Sequence, residues 1–247
     1  MSDHYRRWLE NAQRQGVPAG TVADIARRHR ITAADFDVLD AMAEVTDPAG
    51  KSFFLVPRGT PATDVRAAVV MTYVLNAGTG YGRNPATDFA ETPYGADEVQ
   101  RIIDRQSANA WTYTKDVPLL LRRGGAVVTT PNGMLMGMAG NWLQGQFSRR
   151  GGTAWGDLFL VNIGHRHGPA RQLERIVRSG RGWYVGADGV PRPGGLNLDR
   201  LLHHEEIHSR QWAAKGHLGM LWAAVTDSRG IERQAGLSDG GYRCPTP

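Results

Sequence analysis

The stretch from Leu196 to Trp212, Leu-Asn-Leu-Asp-Arg-Leu-Leu-His-His-Glu-Glu-Ile-His-Ser-Arg-Gln-Trp, constrains the fold more than any other part of the chain. Pro193-Gly194-Gly195 precedes it, Asn197 or Asp199 can cap it, and Gly216 can close it, so it reads as one helix. His204 and His208 stand four residues apart and therefore lie one turn above each other. Leu201 and Trp212 share their face, so two imidazoles turn inward among apolar side chains. That inward face is what a buried helix requires.

His204-Glu205-Glu206-Ile207-His208 matches HExxH, the pattern in which both imidazoles address one zinc ion. Glu205 then sits beside the metal, where a carboxylate can take a proton from bound water and hand it to a leaving group. His203 and Glu206 fall outside this geometry. The plain alternative is a charged surface helix that carries histidines. A tetrahedral site needs a third protein ligand and keeps its fourth position for water. The metzincin continuation would need glycine at 211 and histidine at 214, where the chain has Gln211 and Ala214, so that subclass is excluded. A glutamate on a following helix is the other common source. Glu232 fits, in Asp227-Ser-Arg-Gly-Ile-Glu-Arg-Gln-Ala-Gly236, with Ser228 as cap and small Ala235 permitting close approach. His217, nine residues after His208, competes for that role. His165 and His167 are two apart and face one side if on a strand, as ligands or as a polar strand end. Tyr242, between glycines and the chain end, is the candidate donor to a developing oxyanion, or else a surface turn residue.

The 247 residues suffice for one large domain, or one with a small attachment. The longest apolar-leaning stretch, 126–145, is broken by Pro131-Asn132-Gly133, Gly137 and Gly140, short of the roughly 20 uninterrupted residues a membrane helix needs. No membrane span is expected. The N-terminus is charged from the start, so a secretory leader is not expected either; the chain reads as cytoplasmic or exported by a leaderless route. The single Cys244 can form no internal disulfide and supports no cysteine-rich metal site. The net charge of +5 comes from scattered arginine pairs such as Arg27-Arg28 and Arg149-Arg150, which read as solvated surface and argue against a nucleic-acid partner.

Periodicity predicts helices over 3–15, 21–28, 32–44, 63–76 and 97–108. The pair around residues 21–43 has helix-turn-helix spacing, although a small bundle packed on the main body accounts for it more simply. A short strand is expected at 52–56. Ala49-Gly50-Lys51-Ser52 is not a phosphate loop, because Val45 stands where that pattern needs glycine. The region 110–152 mixes apolar runs with turns, 154–163 reads as the best strand, and 182–185 as another. Strands precede the last helices without βαβ alternation, which favours α+β. Three sections follow: a helical segment 1–45, a mixed region 46–152 of unassigned role, and a region 153–247 carrying the histidine helix.

His-Glu-Glu-Ile-His-Ser-Arg-Gln-Trp paired with the later Ile-Glu-Arg-Gln-Ala-Gly-Leu resembles the small bacterial gluzincin-type metallopeptidase-like proteins, with HExxHxxQ on one helix and ExxA on the next. The resemblance covers roughly residues 153–242. It implies a zincin-like α+β fold, a small mixed or antiparallel sheet packed on the HExxH helix and a glutamate-bearing helix. It also implies Zn2+ held by His204, His208 and Glu232, Glu205 as general base and acid, and hydrolysis of a peptide or protein substrate. The substrate would add to an exposed edge strand, for which the strand around Trp155–Val161 is the candidate, the alternative being that this strand is central and buried. Gly236 departs from the pattern, standing where thermolysin-like members have an aspartate that orients a histidine. The competing expectation is a nucleic-acid-binding or regulatory protein whose metal site is structural or vestigial.

Overall fold

The computed structural model describes residues 3–84, 86–139, 151–163 and 168–242; Arg149, Arg150, His165, His167 and Cys244 lie outside them. The chain starts with α1 (Asp3–Gln15) and α2 (Ala19–His29). Trp8 and Ile25 from these helices are fully buried, in one core with α4 (Ala62–Asn76) and α5 (Ala96–Ala108). The N-terminal segment is thereby part of the main body.

The helix expected over 32–44 is shorter. Thr32 and Asp35 form a capping box that opens a 3-10 turn at Ala33–Phe36, and α3 (Asp37–Asp40) ends after four residues. Ala43–Thr46 instead forms β1, paired with β2 (Ser52–Leu55). The cause is the turn between them: the Asp47 carboxylate accepts from the backbone N–H of Ala49 (2.9 Å) and Lys51 (2.8 Å), and Gly50 takes φ +78°. Asp47-Pro-Ala-Gly-Lys51 is a hairpin turn, and strand pairing overrides local helix propensity. The second helix of the helix-turn-helix spacing is therefore cut to the short helical turns at 33–40, and Arg28 of α2 is paired with Asp97 at 2.7 Å.

After α5, a π-helical turn at Thr112–Asp116 leads into α6 (Val117–Arg122), followed by β3 (Ala126–Thr129), β4 (Leu135–Met138), β5 (Gly151–Trp155) and β6 (Leu158–Asn162). These strands join β1 and β2 in a six-stranded sheet of order β1-β2-β3-β4-β6-β5, antiparallel except for β4 with β6. Residues alternate between two cores. Phe54, Val127, Leu135 and Leu158 face α4 and α5; Phe53, Val128, Met136 and Phe159 face α7 (Pro169–Ser179) and the helix that carries the histidines. Burial on both faces is why β3 and β4 read as unbroken apolar runs rather than as alternating ones.

The single strand expected over 154–163 is a hairpin. Trp155 pairs with Leu158, and Gly156 turns the chain at φ +59°, a conformation glycine adopts without strain. Among the described residues β6 is thus interior and β5 is the sheet edge. A second hairpin, β7 (Arg181–Val185) with β8 (Pro191–Asn197), feeds directly into α8 (Leu198–Thr226), followed by α9 (Ser228–Gln234). The sheet crosses residues 45/46 and 152/153, so the three sections share one structure of the α+β class. Among the described residues no helix is long and apolar enough to cross a membrane.

Candidate metal centre

Asn197 starts α8: its side-chain oxygen accepts from the N–H of Asp199 at 2.8 Å and of Arg200. Asp199 is held by the Lys51 ammonium, which also donates to Thr79 O at 2.7 Å. Gly216, at φ 68° and ψ 172°, breaks α8 into arms 198–215 and 217–226. From Leu202 to Trp212 the first arm is buried around almost its whole circumference, leaving only Ile207 and Arg210 half-buried. Leu202 is fully buried and Leu201 partly so.

Such a helix needs partners for its polar residues, and α5 and the Gly156 turn supply them. Arg105 donates to Asp157 (2.8 Å) and to Glu206, Arg101 pairs with Glu206 (2.7 Å), and Tyr113 donates to Asp157 at 2.6 Å. Ser209 of α8 donates to the same Asp157, and Asn109 donates to Ser209 O at 3.1 Å. Burial pushes the Glu206 carboxyl up, but Arg105 and Arg101 overcome it and hold it at about 2. His203 faces Asp239 (3.2 Å) and stacks on Tyr81 at 3.9 Å; burial lowers its pKa. His203 and Glu206 anchor the back of the helix.

On the front, the Nε2 atoms of His204 and His208 are 3.0 Å apart, and each is 3.3 Å from Glu232 Oε2. The other ring nitrogens are engaged. His204 Nδ1 donates to the carbonyls of Ala235 (2.9 Å) and Gly236 (3.0 Å). His208 Nδ1 donates to Gln211 Oε1 (2.9 Å), whose amide is oriented by donation from Nε2 to Ile231 O at 3.1 Å. With both imidazoles neutral, their Nε2 atoms present lone pairs to each other, next to a carboxylate oxygen that is buried without a hydrogen-bond partner. In that form three acceptors converge on one point, where a proton or a metal cation would satisfy them. Two imidazoles and one carboxylate on neighbouring helices are a donor set that suits Zn2+. Gly240 closes against the His204 ring: a Cβ there would stand 2.6 Å from it.

Burial pushes the Glu232 carboxyl up, and the two imidazoles reverse that and hold it at about 2. For Glu205 burial dominates, raising the carboxyl to about 7, with His208 opposing and Glu232 adding. Tyr242 lies at the rim, half-exposed, its ring 5.7 Å from that of His204; burial and the charges of Glu232 and Glu205 push its phenol up to about 12.

Of the residues singled out in the sequence, His204, His208 and Glu232 come together, Glu205 shares their helix, and Tyr242 reaches their edge. His217 does not join them; its ring sits among Trp111, Trp155 and Trp212 at 5.2–5.7 Å. Ser228 is the first helical residue, and Asp227 makes the cap, accepting from Gly230 N at 3.0 Å. Gly236 supplies through its carbonyl the orienting contact that an aspartate side chain would otherwise make. The HExxHxxQ pattern includes Gln211 without giving it a role, and Gly240 is not singled out by the sequence. Gln211 follows His208 by three, a spacing that places it beside the ring, whereas nothing local marks Gly240.

Comparison with protein families, curated proteins and solved structures finds no match to the chain.

Proposed function

We propose that the chain is a zinc-dependent hydrolase of the zincin type, with gluzincin-like ligands His204, His208 and Glu232, that cleaves peptide bonds. The observation that carries this reading is the convergence of two imidazole nitrogens and a buried carboxylate oxygen within 3.3 Å of one another. Zinc in such a site polarises a carbonyl and makes bound water acidic enough to react near neutral pH. Glu205, buried on the same helix, takes the proton from the attacking water and returns it to the leaving amine. Tyr242 donates toward the oxygen on which charge develops. The edge of β5 supports a peptide substrate, since an extended segment can add to it as a further strand. Trp212 ties that edge to the histidine helix by donating to Ala154 O at 3.0 Å.

The test is zinc content and proteolysis of the purified chain beside single variants. Wild type should carry close to one zinc, and His204→Ala and Glu232→Ala should lose it. Glu205→Gln should keep the metal and lose hydrolysis, with a rate at least about 100-fold lower. Zinc lost from Glu205→Gln would refute the role given to Glu205. Zinc retained with no hydrolysis by wild type would make the site structural.

A further inference from the structure

The second arm of α8, 217–226, contains no charged residue apart from the ionisable His217, and one of its faces has no partner among the described residues. Its inner side is accounted for: Met220 is buried with Trp212 and Ile231, and Ala223 packs beside them. On the outer side Leu218 is 82% exposed, Trp222 72%, Val225 84% and Leu221 39%. At about 100° per residue these four fall within one arc of roughly 100°. Single exposed apolar residues are ordinary; four on one arc of a ten-residue arm mark a contact surface.

We propose that this face docks on an anionic lipid surface, with the arm lying in the headgroup plane. The arc holds no hydrogen-bonding side chain except the Trp222 indole, while protein interfaces carry about one hydrogen bond per 100–200 Å². Hydrocarbon asks for none, and tryptophan at the edge of an apolar helix face suits the boundary between headgroups and acyl chains. The flanks are cationic. Lys215 before the arm and Arg229 and Arg233 after it are exposed, against the single exposed acid Asp227, in a chain of net charge +5. Such a rim complements anionic headgroups, and its long side chains can reach them while the arc is immersed. Two copies meeting through the arc would bring like-charged rims together.

The inference is independent of the metal reading, and its test needs neither substrate nor zinc. The full chain is floated with phosphatidylcholine vesicles with and without phosphatidylglycerol. Flotation with the anionic vesicles is expected, falling about tenfold or more in Leu218→Ser/Trp222→Ser. Removing Lys215, Arg229 and Arg233 should weaken it about fivefold per cation, with high salt acting the same way. All these side chains are exposed, so far-ultraviolet circular dichroism and the thermal midpoint should match wild type. Absence of flotation, or flotation that the double variant leaves intact, overturns the proposal. Equal flotation with neutral vesicles overturns the anionic preference. Concentration-dependent association without lipid, abolished by the double variant, overturns it in favour of a second copy on this face.

Discussion

Gln211 binds His208 on one side and the main chain of α9 on the other, so one amide sets both a ligand ring and the distance to the helix that bears Glu232. Gln211→Ala should leave the fold in place and weaken zinc about 10- to 100-fold, measured by competition with a chromogenic chelator. Unchanged affinity would mean that packing alone orients His208. Gly240→Ala places a methyl group against the His204 ring. It should weaken zinc as well, by moving the ring rather than by freeing it, and metal content would report the loss. The imidazole pair was legible in the sequence because i,i+4 spacing is a local property. Gly240 was not, because its role depends on a ring 36 residues away in the sequence.

At the level of elements, the histidine helix is held by charges that no amphipathic pattern predicts. Arg105 alone bridges Asp157 and Glu206, both buried. Arg105→Met leaves Asp157 without a cationic partner and Glu206 with Arg101 and Arg210 alone, and should cost about 3–5 kcal/mol, read from the denaturant midpoint. A smaller change would show that water reaches the network. A second contact joins α1 to the first hairpin, where Arg7 donates to Glu44 at 2.8 Å. That bond to Arg7 holds the Glu44 carboxyl below its ordinary range, against burial. A depressed folded-state pKa adds stability above the ordinary value of 4.5, and this is lost as pH falls below it. Wild type should therefore exceed Glu44→Gln in stability near neutral pH, and the difference should shrink in acid. A constant difference across pH would refute the ionic contribution. The strand at 43–46 shows the reason for the misread boundary: Ala43 and Glu44 continue a helical pattern, and only the Asp47 turn and the partner strand place them in the sheet.

For the whole molecule, zinc would cross-link two helices that otherwise meet through Gln211, His204 and the Asp239 contacts. Chelation should lower the melting temperature, since a ligand that binds only the folded chain adds about 4 kcal/mol at a thousandfold excess over Kd. His204→Ala should be insensitive to the chelator. A wild-type melting curve that chelator leaves unmoved would remove the metal from the folding balance.

The sequence by itself determined the helix with its two inward imidazoles, the acid beside them, the later helix with Glu232 and the mixed α and β content. Each of these rests on spacing along one element, which the backbone's own geometry converts into direction. Only the tertiary structure decided that β5 is an edge and β6 interior, that Glu232 and not His217 completes the cluster, and that the polar back of the helix is buried against Arg101, Arg105 and Asp239. Those outcomes depend on which distant segments pack together, and that is settled by burying both faces of one sheet and by pairing Arg105 with Asp157 and Glu206 out of water.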